Sequence, residues 1–70
     1  MRPLIYGDPC EESIIKKIGG SPEVKRHLEN LGFTTGGSVT LISLVGGNVI
    51  VKVKEARIAL DEELARKVMI

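Results

Sequence analysis

An internal disulfide is out of reach for this chain, because its 70 residues include one cysteine, Cys10. Small secreted domains usually supplement a thin core with disulfides, so a reducing, cytoplasmic setting is expected. Tryptophan is absent, and Tyr6 and Phe33 are the only aromatic side chains. That is poor material for stacking nucleic-acid bases. An excess of one charge is also lacking, since ten Lys and Arg face nine Asp and Glu for a net +1. No broad field draws a polyanion or a basic partner. No apolar run approaches the roughly 20 residues that span a bilayer. The opening "MRPLIYGDPC" is too short and interrupted to be expected to act as a secretory signal. If the protein works at a membrane, something else holds it there.

Catalytic constellations are missing as well. The single His27 and the single Cys10 lie in different segments, and no G-x-S-x-G occurs. A nucleophile needs an activating base beside it, and nothing in the order of residues marks such a pair. The expected class is therefore non-enzymatic. Metal donors exist at Cys10, Glu11, Glu12, His27 and Asp61 to Glu63, but none shows the spacing of a structural zinc site. His27 and Cys10 are the weak candidates for a metal. No cofactor is required, and ferrous iron or another transition metal is compatible.

What the chain has is aliphatic residues cut into short runs by glycine. Apolar residues make up 43%, mostly Ile, Val and Leu, and eight glycines separate the patterned segments. One domain over 1–70 is expected, with a thin, strand-rich core. "EESIIKKIGG" reads as a first strand, with Ile14, Lys16 and Ile18 alternating with Ile15 and Lys17. "SPEVKRHLENLG" reads as a helix over about 21–31. Ser21 suits the N-cap, Pro22 the first turn and Glu23 the positive end of the helix dipole. Val24, Leu28 and Leu31 fall on one stripe. "SVTLISLV" is a strand with Val39, Leu41, Ser43 and Val45 on one face and Thr40, Ile42 and Leu44 on the other. Gly46-Gly47-Asn48 supplies a tight hairpin. "VIVKVK" returns with Val49, Val51 and Val53 on one face, and "ARIAL" follows as a shorter strand. Asp61 then caps a short C-terminal helix with Glu62 and Glu63 in its first turn, and "VMI" closes as a short strand. Short strands joined by tight turns predict a small antiparallel barrel, mainly β, with edges removed by closure.

"LGFTTGG", Leu31 to Gly37, stops the helix. Gly32 is expected in the left-handed conformation after the last turn, with Phe33 packing back on Leu28. Gly32 and Gly36 are thus structural turn residues. Burying Phe33 contributes on the order of 1.5–3 kcal/mol.

"VKRHLENLGFTTGGSVTLI" followed by "GGNVIVKVKEARIALDEELARKVMI" resembles the FeoA family of bacterial ferrous iron uptake. The likeness runs from about Pro9 to Ile70, carried by Leu31-Gly32-Phe33, Gly36, Gly46-Gly47, Arg57 to Leu60, and Glu63 to Val68 around Ala65. It implies an SH3-like barrel with one helix inserted after the first strand. It also implies an adaptor or regulator that contacts FeoB, the membrane transporter, at its cytosolic GTP-binding domain. That places the protein in the cytoplasm, peripheral to the inner membrane through FeoB; a homo-oligomer is compatible. Several residues depart from the family pattern, all at turns. Cys10 and Glu55 stand where glycine is common, and Thr35 and Val49 where proline is common. A divergent paralogue with another partner is one reading of these departures.

A contact surface must come from residues the core does not absorb. Val24, Leu28, Leu31 and Phe33 are the candidates for a partner-facing edge, and each also suits the core. Two rival functions are an accessory domain of a metal-dependent repressor and a small-barrel nucleic-acid binder using Lys16, Lys17, Lys52, Lys54 and Arg57.

Overall fold

In the computed structural model, which describes residues 1–70, two antiparallel sheets enclose the core. Strands β1 (Glu12–Ile14), β3 (Ser38–Val45), β4 (Asn48–Val53) and β5 (Ala56–Asp61) form one sheet in the order β1-β3-β4-β5. Strands β2 (Lys17–Ile18) and β6 (Val68–Met69) form the other. Helix α1 (Pro22–Asn30) sits between β2 and β3, and the single-turn α2 (Glu62–Ala65) between β5 and β6. The architecture is the expected mainly-β one with an inserted helix and a short C-terminal helix.

The expected first strand divides in two. Lys16 N–H donates to the Met69 carbonyl at 2.8 Å, while Ile15 N–H donates to the Gly37 carbonyl at 2.8 Å. The chain thus changes sheets between these residues. Ile15 and Ile18 are buried, whereas Ile14 is exposed. A change of sheet breaks a period of two, which is why the expected Ile14-Ile18 face is not formed.

Helix α1 follows its sequence signals. Ser21 Oγ accepts the Val24 N–H at 3.3 Å, and Pro22 opens the first turn. At the other end Phe33 N–H donates to the Leu28 carbonyl and Gly32 N–H to the Glu29 carbonyl, both at 2.9 Å. With Gly32 at φ +106°, this pair of bonds is a Schellman stop. A Cβ at Gly32 would meet nothing nearer than 3.5 Å, so the backbone angle alone selects glycine. Asp61 likewise caps α2, with Oδ1 accepting the Leu64 N–H at 2.8 Å.

Val49, Val51 and Val53 alternate into the core as their spacing predicts. In β3 the alternation is interrupted. The register steps from Leu41↔Val51 to Ser43↔Ile50, a bulge that gives Ile42 no partner. Beyond it the faces exchange, so Leu44 lies opposite the buried Val49 and joins the inward face. The uninterrupted alternation expected from the sequence puts Leu44 on the face opposite Val39 and Leu41, and the bulge moves it to theirs.

A further core residue comes from the opening segment. Leu4, in a short 3-10 helix over Leu4–Tyr6, is 1% exposed. Arg2 and Ile70 exchange two backbone hydrogen bonds at 2.9 and 2.7 Å, which ties the first residues beside β6. Closure is incomplete at the other end, where β5 has only β4 beside it.

Candidate functional site

The residues expected to face a partner divide between core and surface. Leu28 and Phe33 are 0% exposed, so in this conformation they offer nothing to a partner and belong to the core. The Schellman stop is the reason: it folds Phe33 back over the last turn, into the same apolar cluster as Leu28. Val24 and Leu31 are half-buried against that cluster. His27 and Cys10 are both exposed, and nowhere do three His, Cys, Asp or Glu side chains come together in a way that could hold a metal ion. Gly36, at φ +89°, is a turn residue as expected.

Exposed aliphatic groups occur at Met1, at Ile14 and, as an adjacent pair, at the β3–β4 hairpin tip. Leu44 is 58% and Val45 60% exposed, immediately before the Gly46-Gly47 turn. Leu44 shares the inward face with its partner Val49, whereas Val45, opposite Asn48, lies on the other face of the hairpin. Gly46 and Gly47 adopt φ +53° and +84°, a pattern that suits a tight two-residue hairpin turn.

A shallow groove of about 170 Å³ opens beside this tip. Ile5, Leu44, Val49 and the Gly46-Gly47 turn line it, with Glu62 at its rim. Glu62 connects the groove to a polar cluster. Arg66 Nη2 donates to Glu62 Oε1 at 2.7 Å, and Arg66 Nη1 donates to Tyr6 Oη at 3.4 Å. The guanidinium also stands 6.0 Å from the Tyr6 ring centroid. The hydrogen bond to Glu62, followed by that to Tyr6, raises the Arg66 pKa above its ordinary value. Around the tip the surface therefore runs from aliphatic Leu44 through the groove to Glu62 and its charged partner Arg66, which also bonds Tyr6. Exposed apolar area rimmed by polar groups is the usual composition of a protein contact.

Sequence reasoning missed this surface. Ile5 and Tyr6 lie in a segment without a strand or helix pattern, and Arg66 lies at the end of α2 with no motif to single it out. One signal was present: "LVGG" sets two large aliphatic residues against a turn, where small proteins have little core to cover them.

The FeoA domain model matches residues 7–70. A protein of Methanocaldococcus jannaschii whose name connects it with Fe(2+) transport is 33% identical over 70 residues, covering 100% of this chain and 85% of its own. The crystal structure of an iron uptake regulatory protein, FeoA, superposes with a TM-score of 0.87 at 28% identity, over 97% of this chain and 90% of that one. A zinc complex of FeoA from Stenotrophomonas maltophilia, described as an SH3 domain protein, gives 0.82 at 21% identity over 99% and 88%. A manganese-dependent transcriptional repressor gives 0.85 at 16% identity over 96% of this chain but 39% of its own, a likeness of fold alone. With the family model spanning nearly the whole chain, the SH3-like fold shared and the M. jannaschii relative matched along 85% of its length, this protein belongs to the FeoA family of ferrous iron transport accessories.

Proposed function

We propose that this chain is a non-enzymatic regulator of ferrous iron uptake that acts by contact with a FeoB-type transporter, at its cytosolic GTP-binding domain. The observation that carries the reading is the apolar hairpin tip. Leu44 and Val45 are solvated in a domain whose other large aliphatic residues are mostly packed, and the groove beside Leu44 extends to Glu62, which pairs with Arg66. Desolvating two such side chains favours association by about 25 cal/mol per Å² of apolar surface removed from water. Family membership supplies the iron-transport context, and the exposed tip supplies a means of contact. Cytoplasmic residence at the inner face of the membrane, through the transporter, belongs to the same proposal.

The test is binding of this chain to the purified cytosolic domain of the cognate transporter by calorimetry, with GTP turnover followed in parallel. Saturable association that weakens when Leu44 and Val45 are made polar supports the reading. Absence of heat and of any change in turnover, up to the solubility limit of both proteins, overturns it.

A further inference from the structure

The outer edge of β5 is unused by the fold. The four-stranded sheet ends in β1 on one side and β5 on the other. β1 is three residues long, and the chain leaves it for the second sheet, which is a natural way to blunt an edge. β5 is six residues long, "ARIALD", without proline, glycine or bulge.

Its polar groups can be assigned to sides. Val53↔Ala56 closes the two-residue turn at Lys54-Glu55, so this pair exchanges hydrogen bonds. Alternation then turns the N–H and C=O of Ala56, Ile58 and Leu60 toward β4, and those of Arg57 and Ala59, with the Asp61 N–H, outward. The other end of β4 agrees. Asn48 closes the Gly46-Gly47 turn with Val45 and so faces β3, which leaves its opposite neighbour Asp61 facing away. Beyond the helices and strand ladders, no backbone hydrogen bond involves any residue from Ala56 to Asp61.

We propose that this edge pairs with the same edge of a second copy, antiparallel about a two-fold axis at Ala59. Only Arg57, Ala59 and Asp61 have outward backbone groups, so only registers that match odd-numbered residues form bonds. Centred on Ala59, Arg57 faces Asp61 of the second copy twice, and Ile58 faces Leu60. Centred on Ile58, Glu55 would face Asp61, and the like charges oppose that register. Centred on Leu60, the overlap shrinks to Ala59↔Asp61. Charge and length thus select one arrangement. Arg57, Ala59 and Asp61 are all exposed, and the methyl at Ala59 leaves the axis uncrowded. Asp61 uses Oδ1 for its cap, which leaves Oδ2 for the incoming guanidinium. Ile58, half-buried on the inward face, gains cover from Leu60 across the axis. The inference stands on the strand edge and its charges, independently of any contact with a transporter.

Sedimentation equilibrium of the full chain over about 10 μM to 1 mM tests it, the range expected of a small interface. The wild type is expected to dimerise within that range, and the amides of Arg57 and Ala59 to gain exchange protection as concentration rises. Ala59→Pro removes an outward N–H without touching the ladder to β4, so it is expected to stay monomeric. Arg57→Glu sets like charges opposite Asp61 and is expected to weaken association at least about tenfold, with a melt no lower than wild type because Arg57 also lies opposite Lys52 within the protomer. If the proline variant fails to fold, Arg57→Glu decides. A wild type that is monomeric throughout, or a dimer that Arg57→Glu leaves intact, overturns the proposal.

Discussion

Replacing Glu55 by glycine should make this protein more stable. Lys54 and Glu55 form the β4–β5 turn with φ of +49° and +66°, so two ordinary L-residues occupy left-handed backbone. Each such residue costs about 1–2 kcal/mol relative to the right-handed form, because Cβ crowds the following carbonyl. Glycine avoids that crowding but enlarges the unfolded ensemble, which opposes it by about 0.4–1 kcal/mol. The difference favours Glu55→Gly by about 0.5–1 kcal/mol. In a domain of this size that is a rise in Tm of about 2–8 °C. The fold contains its own control. The β3–β4 turn has the same left-handed pattern, at φ +53° and +84°, but is filled by Gly46-Gly47. A Cβ at Gly47 would meet no atom within 4 Å, so Gly47→Glu probes backbone strain without steric conflict. It should destabilise by about 0.5–1 kcal/mol, the mirror of the first change. Urea titration with an unchanged m-value reads both, since m follows the surface exposed on unfolding. If Glu55→Gly lowered the midpoint, or if both substitutions shifted it in the same direction, the strain argument would fail.

Cys10→Gly belongs to the same class, since Cys10 sits at φ +64° and is exposed; a higher urea midpoint is expected, and a lower one would show that its side chain contributes to the fold. Gly32→Ala should cost about 1 kcal/mol, because φ +106° is unfavourable for alanine while the space for its methyl is adequate; a melt identical to wild type would remove the Schellman stop from the account. Leu4→Ala should cost about 2–5 kcal/mol, as expected for a fully buried leucine. That is a large share of the roughly 3–10 kcal/mol available to a domain this size, and unchanged thermal stability would show that the N-terminal segment is not core.

The parts of the fold that could be read from sequence are those where one local rule acts alone. Val49, Val51 and Val53 alternate, and all three are buried. Ser21, Pro22 and Gly32 mark the helix ends, and each takes its expected position. Reading failed where tertiary pairing interrupts a period. "IIKKI" fits one strand as well as two, and only the hydrogen bonds of Ile15 and Lys16 to different sheets decide between them. The bulge at Ile42 changes the face of Leu44 without any glycine or proline to signal it. Leu4 is core because the C-terminal strand lies beside it, a partner 60-odd positions away that no local pattern can indicate. The same limit governed the candidate surface. Leu28 and Phe33 suit the core and also a partner-facing edge, whereas the hairpin tip becomes a candidate only through the solvent exposure of Leu44 and Val45. Two of the turn departures from the family pattern, Cys10 and Glu55, acquire a physical meaning here, since both adopt the backbone angle for which glycine is suited.

The most direct test of the central claim compares Leu44→Asp with wild type for binding to the cytosolic domain of the cognate FeoB-type transporter. The side chain is mostly solvated, so the substitution should leave the thermal melt unchanged. A buried charge at a docked apolar tip should weaken the complex at least about tenfold. An affinity equal to wild type, with the variant folded, would contradict the assignment of the hairpin tip as the contact surface.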